Sequence, residues 1–186
     1  MKKKIIGVLS LQGAFIEHKR IINELNHIMI EVRKENDINL IDALIIPGGE
    51  STTMIKLLDD NLLLKNKIIE FIFHKKKPVL GICAGIILLA DKVIVKDKIY
   101  PGYLGGLDIT IHRNYYGSQI NSFIEKNYDF HEFGIHNFKC IFIRAPYITN
   151  NENKFAIKYN NIMGLTFHPE LTDDNRFHKY FINMIE

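Results

Sequence analysis

Cys83 stands in Val79-Leu80-Gly81-Ile82-Cys83-Ala84-Gly85-Ile86-Ile87-Leu88-Leu89, an apolar run broken only by small residues. The run reads as a buried strand turning at once into an apolar helix. Such a corner leaves little room, and Gly81, Ala84 and Gly85 supply it while the residue between them is pushed up and strained. This is the logic of a nucleophile elbow written as G-x-C-x-G. A cysteine there faces a helix N-terminus, which favours the thiolate. Cys83 also fits a small buried hydrophobe, which is what most free cysteines are.

A thiol nucleophile needs a base. His168 in Thr166-Phe167-His168-Pro169-Glu170 is the best of the eight histidines. In an extended segment residues two apart project to one side, so Glu170 can hold the His168 imidazole in one tautomer, with Pro169 stiffening the geometry. Nucleophile, base and orienter then run in the order Cys, His, Glu. H-x-E by itself is equally a histidine at a strand end. Pro47-Gly48-Gly49-Glu50-Ser51-Thr52-Thr53 follows a strand and opens a helix, with Ser51 or Thr52 as its cap. The two glycines suit a phosphate loop, an oxyanion hole or an ordinary turn; the Gly-Lys-Ser/Thr ending of a phosphate loop is missing. Arg113 and Arg144 each follow a strand-like run, and a guanidinium fork matches the carboxylate of an amino acid. Cys83, Cys140 and the histidines show no paired ligand spacing for zinc.

The elements that must position these groups are legible in the first half. Lys4 to Leu11 is a strand turned by Gln12-Gly13, and apolar residues from Ala14 to His27 recur at helical spacing. Strands follow at Ile28 to Val32 and Ala43 to Ile46, a helix through Leu58, then an amphipathic helix from Leu62 to Phe73. This alternation predicts a parallel sheet covered on both faces, with the strand C-termini along one edge. After Asp91 the pattern changes to further strands, including Leu107 to Ile111 and Lys139 to Ile143, some of them antiparallel. The polar stretch Asn150 to Asn161 reads as a surface turn with a short strand at Lys154 to Tyr159, and Asp173 to Ile185 as a closing helix. The expectation is a single α/β domain over 1–186: three layers, a mostly parallel central sheet flanked by helices, flavodoxin-like.

With 186 residues, 47% hydrophobic and 24% charged, the chain suits one domain with a sizeable core. A net charge of +3 on scattered lysines gives no case for nucleic acid. Two cysteines make no disulfide framework, and no stretch approaches a membrane span. Lys2-Lys3-Lys4 before an apolar run superficially resembles a signal peptide, but the run is short and lacks a cleavage site. A cytoplasmic location is expected.

Together these stretches resemble the class I (triad) glutamine amidotransferases, and more closely the family of glutaminase subunits of pyridoxal 5′-phosphate synthase. The runs that carry the resemblance are Gly7-Val8-Leu9-Ser10-Leu11-Gln12-Gly13, Pro47 to Thr53, Gly81 to Gly85, Gly106-Leu107-Asp108, Arg113 to Gln119, Ile143-Arg144-Ala145-Pro146 and Phe167 to Thr172. The resemblance implies hydrolysis of L-glutamine to glutamate and ammonia through a thioester, with Cys83 as nucleophile, His168 as base and Glu170 as orienter. It implies glutamine binding at Gly48, Gly49, Glu50, Ser51, Arg113, Ile143 and Arg144, and an oxyanion hole from Gly48, Gly49 and Ala84. No cofactor is implied. The implied partner is the lyase subunit of the synthase, which receives the ammonia and switches the glutaminase on, in assemblies of up to twelve pairs. Gln12, beside the glycine loop, is the expected partner contact. Two departures stand out: Ile82 replaces a usual Thr, and the segment from Pro146 to His168 is shorter by about a β-hairpin. The alternatives are the glutaminase of another synthase, such as the imidazole glycerol phosphate type, and a docking subunit that does not hydrolyse glutamine.

Overall fold

A computed structural model describes residues 2–113, 122–150 and 154–185. The chain order is β1 (Ile5–Leu9), α1 (Glu17–Glu24), β2 (Ile28–Val32), β3 (Ala43–Ile46), α2 (Ser51–Asp59), α3 (Leu62–Ile69), β4 (Val79–Ile82) and α4 (Ala84–Leu89). It continues with β5 (Ala90–Val95), β6 (Lys98–Pro101), β7 (Leu107–His112), β8 (Ser122–Phe130), β9 (Ile135–Ile143), β10 (Tyr147–Ile148), β11 (Ala156–Tyr159), β12 (Ile162–Leu165) and α5 (Arg176–Ile182).

The main sheet has six strands in the order β11-β12-β4-β3-β1-β2. All its pairings are parallel except the β11–β12 hairpin at one edge. Successive side chains of a strand face opposite ways, and the sheet sorts its residues by that rule. Leu44, Ile46, Val79 and Ile162 enter one core with α2, α3 and α4. Ala43, Ile45, Leu80, Ile82, Met163 and Leu165 enter the other, with α1, α5 and β9. The first core is almost wholly aliphatic, whereas the second holds Phe130, Phe138, Phe142, Phe167 and Phe177 in mutual edge or tilted contact. A smaller sheet, β10-β7-β5-β6, and a two-stranded ribbon, β8-β9, complete the molecule. This is the mostly parallel, helix-flanked α/β architecture that the strand–helix alternation predicts.

Several boundaries differ from the sequence reading, each for a local reason. Helical periodicity begins at Ala14, but α1 begins at Glu17. Gly13 lies at φ +97°, and the Ala14 N–H donates to the Gly48 carbonyl at 2.9 Å, so these residues serve the neighbouring loop instead. The helix from Leu62 ends as an α-helix at Ile69 and continues as a π-helical turn over Glu70–His74. The closing helix is shorter than its apolar pattern, Arg176–Ile182. Of the polar stretch 150–161, residues 151–153 lie outside the described residues, and the strand within it is Ala156–Tyr159. The hairpin it makes with β12 closes the sheet edge in the segment expected to be short.

Candidate active site

Neighbouring parallel strands end level with one another, and the site is built from the residues just beyond their C-termini. Ile46 pairs with Gly81, and Ile82 with Leu165. Immediately past β3, β4 and β12 therefore lie the Pro47-Gly48-Gly49 loop, Cys83 and the Thr166–His168 segment. Parallel order alone delivers a glycine loop, a thiol and an imidazole to one edge.

The elbow at Cys83 is real and strained. Cys83 has φ +49° and ψ −98°, and α4 starts at the next residue. A positive φ in a residue with a Cβ is uncommon and is held only where packing imposes it. The packing is visible at the two glycines. A Cβ on Gly85 would lie 2.1 Å from the Ile46 carbonyl oxygen, and one on Gly81 2.7 Å from the Gly85 carbonyl carbon. Only glycines let α4 sit this close to β3 and β4. The Cys83 N–H donates to the Leu165 carbonyl at 2.8 Å, and its Sγ lies 3.8 Å from the Ile143 carbonyl oxygen.

His168 Nδ1 and Glu170 Oε1 are 2.7 Å apart, both buried. The pairing arises differently from the extended geometry read in the sequence: Pro169–Leu171 form a 3-10 turn, which folds Glu170 back beneath the imidazole. With Nδ1 engaged by the carboxylate, Nε2 is left for the sulfur. Burial works against the imidazolium, but interactions with Cys83 and Glu170 outweigh it and raise His168 to about 10. That balance favours the charged imidazolium at His168.

The triad opens onto a cavity of about 230 Å³. Gly48, Gly49, Glu50, Ser51, Ala84, Arg113, Ile143 and Arg144 all line it, as do Cys83 and His168. Gly48 lies against the triad itself, where a Cβ would approach His168 Cε1 to 2.4 Å. The Gly48 carbonyl is turned to the Ala14 N–H. Gln12 reaches the same loop, its Oε1 accepting from the Glu50 N–H at 2.8 Å. Helix α2 is capped by Glu50, not by Ser51 or Thr52: its carboxylate accepts from the N–H groups of Thr52 (3.3 Å) and Thr53 (2.7 Å) and from both hydroxyls. Desolvation pushes against that charge, but these threonine hydrogen bonds win and lower Glu50 to about 2. Arg113 Nη2 donates to Glu50 Oε1 at 2.8 Å, which fixes a guanidinium at the cavity wall. The rest of the R-N-x-x-G-x-Q run lies outside the described residues. Arg144 sits at φ +45°, a second strained residue at the rim.

Two buried side chains near the site escape the sequence reading, His18 of α1 and His178 of α5, whose Nδ1 and Nε2 are 2.9 Å apart. Each occupies an apolar face at helical spacing, a pattern that marks core and not chemistry. Among the described residues no group of His, Cys, Asp or Glu is arranged to hold a metal ion. No helix there is long and apolar enough to cross a membrane.

A mostly parallel α/β sheet thus carries a strained cysteine elbow, a buried His–Glu pair just beyond the adjoining strand and a glycine loop beside them. The chain belongs to the SNO glutamine amidotransferase family, whose model matches residues 8–186. It is 42% identical to pyridoxal 5′-phosphate synthase subunit PdxT of Clostridium acetobutylicum, over 96% of this chain and 99% of that one. It is also 42% identical to the protein of the same name from Fervidobacterium nodosum, over 98% and 97% of the two chains. A solved structure described as a glutamine amidotransferase superposes with a TM-score of 0.84 at 33% identity, covering 97% of this chain and 98% of that one.

Proposed function

We propose that this chain is the glutaminase subunit of a pyridoxal 5′-phosphate synthase, acting as one domain over 1–186 in the cytoplasm. The observation that carries the reading is the Cys83–His168–Glu170 arrangement at the floor of a cavity whose wall holds Arg113 and Arg144. Its family membership and the names of its relatives agree with it.

The chemistry follows from the atoms. Cys83 Sγ, its proton passed to His168 Nε2, attacks the side-chain amide carbon of L-glutamine. The carbonyl π pair moves onto oxygen, and N–H groups of the Gly48-Gly49 loop and Ala84 receive that charge. Collapse breaks the C–N bond, and His168 protonates the departing nitrogen, which leaves as ammonia. Water, deprotonated by His168, then cleaves the thioester to give glutamate and restore the thiol. Glu170 holds the imidazole throughout. Arg113, seated by Glu50, and Arg144 hold the glutamine carboxylate, with Ser51 and Ile143 completing the pocket.

The partner is the lyase subunit of the synthase, to which the ammonia passes, with up to twelve pairs per assembly. Gln12 lies between the outside and the glycine loop, so a subunit docked on Gln12 can act on Gly48 and Gly49. Reorienting the Gly48 peptide costs its bond to the Ala14 N–H, about 0.5–1.5 kcal/mol, which a docked partner can supply. Hydrolysis should be slow in the lone chain and rise on adding the lyase subunit, less so in Gln12→Ala. No hydrolysis with the partner present would leave a docking subunit. Full activity without the partner would point to a free-standing glutaminase.

A further inference from the structure

Four buried side-chain atoms find no hydrogen-bond partner among the described residues: Glu17 Oε2, His18 Nε2, Glu170 Oε2 and His178 Nδ1. They are not scattered. Helix α1, which carries Glu17 and His18, packs on the 3-10 turn that carries Glu170. Arg20, one turn further along α1, ties the two by donating to the Thr172 carbonyl at 2.8 Å. A buried polar atom without a partner is costly, and a carboxylate oxygen more so than most. Glu170 is the triad orienter, and only one of its oxygens is occupied, by His168 Nδ1.

The His18–His178 contact decides which group can serve the other oxygen. Burial, the two rings' mutual repulsion and the charge on His168 push His18 well below its ordinary value. Burial and the Arg20 charge lower His178 to about 4. Both rings are therefore neutral near pH 7, each with a single N–H. Their contact uses His18 Nδ1 and His178 Nε2, and one of the two must donate. If His178 Nε2–H donates, the His18 proton must sit on Nε2. A buried N–H is then on offer from the helix that packs on the turn carrying Glu170. Either tautomer leaves His178 Nδ1 without a partner, but the opposite one would also bury a bare His18 Nε2 and a bare Glu170 oxygen in neighbouring elements.

We propose that His18 is a positioning residue for the triad. His178 sets its tautomer, and its Nε2–H serves Glu170 Oε2 through one buried water, so that the carboxylate is held at both oxygens and cannot rotate away from His168. A single water bridging two such groups is the ordinary way an interior polar gap is filled. The titratable and charged groups carried by these packed elements include Glu17, His18 and Arg20 on α1, His168 and Glu170 at the 3-10 turn, and His178 on α5. The inference rests on the glutaminase reading but is tested separately from it.

The test compares His18→Asn with His18→Gln, as full chains with the lyase subunit. Asparagine places its polar atoms near Nδ1 and loses the Nε2 donor; glutamine keeps an N–H near Nε2. His18→Asn should lower kcat about tenfold with KM for glutamine unchanged, while His18→Gln keeps most of the wild-type kcat. In the isolated chain, the downfield proton resonance of His168 Nδ1–H should broaden or vanish in His18→Asn and persist in His18→Gln. That readout needs no turnover, so an inactive wild type would sink the glutaminase reading and leave this inference still decided. Equal kcat and an unaltered resonance in His18→Asn would overturn the proposal. So would equal losses in both variants that track their melting temperatures.

Discussion

Cys83 and Cys140 belong to the same packed core and yet occupy opposite chemical situations. Cys140 lies inside β9, fully buried, across from Glu125 of β8. Burial first, then the Glu125 charge, pushes its thiol up to about 12. Cys83 is only slightly more exposed, 6% against 0%. Accessible area is not what separates them. A regular strand gives Cys140 neighbours that are apolar or anionic. The elbow turns Cys83 out of its strand at φ +49° and towards His168 and the cavity. What separates the two thiols is backbone geometry and one imidazole.

The largest effect should come from the nucleophile. Cys83→Ser should fold and lose glutamine hydrolysis by about 10³-fold or more. A glutamine-like alkylating agent at pH 8 should label Cys83 and spare Cys140, as read by peptide mapping. Label found mainly on Cys140 would reverse the comparison.

Gly48→Ala tests whether the cavity side of Cys83 depends on a bare backbone. Its methyl would sit 2.4 Å from His168 Cε1, so ring or loop must move. We expect kcat to fall about 10²–10³-fold, the scale of losing one oxyanion donor. Retained kcat would mean the loop can give way without cost.

Arg113→Ala probes the charge that Cys140 has no counterpart for. It should raise KM for glutamine by about one to two decades, from about 1.5–3 kcal/mol lost with a charged hydrogen bond. An unchanged KM would move the carboxylate contact to Arg144.

The smallest effects are in stability and titration. Cys140→Ala should cost about 1 kcal/mol by chemical denaturation and leave kcat intact. It should also leave His168 titrating near 10, whereas Cys83→Ala should lower that value, because the sulfur is among the groups that raise it. A pKa raised above its unfolded value of about 6.5 adds stability below that pH, lost as pH climbs through the folded value. Unfolding free energy should therefore decline between about pH 6.5 and 10, and less steeply in Cys83→Ala. An identical slope would show that the sulfur does not hold the imidazolium.

Much of the fold and site is legible in the residues because the signals are local. Strand runs at Ile5–Leu9, Ala43–Ile46 and Val79–Ile82 are continuous and apolar, as buried parallel strands must be, and the edge strand Ile28–Val32 is interrupted only by Glu31. The small residues around Cys83 announce a tight turn for steric reasons alone. Strands β6 and β8 escape the sequence patterns, because β6 is exposed throughout and β8 nearly so, and neither carries a burial period. Residue type favours Ser51 or Thr52 over the actual Glu50 cap, since a glutamate reaches its N–H groups only once the loop before it is bent.

The sequence by itself determined the chemical parts: a thiol between small residues, an H-P-E triplet, a glycine pair and two arginines after strands. Those are matters of residue type and short spacing, which hydrophobic period and sterics decide within a few residues. Only the tertiary structure decided that Glu170 reaches His168 through a 3-10 turn, that Gly48 is bare because His168 lies against it, and that Arg113 is seated by Glu50. Only it brought His18 and His178, 160 positions apart, into contact beside the triad. Such contacts depend on how parallel strands align and which helices cover them, and no local pattern in the chain encodes the pairing of distant side chains.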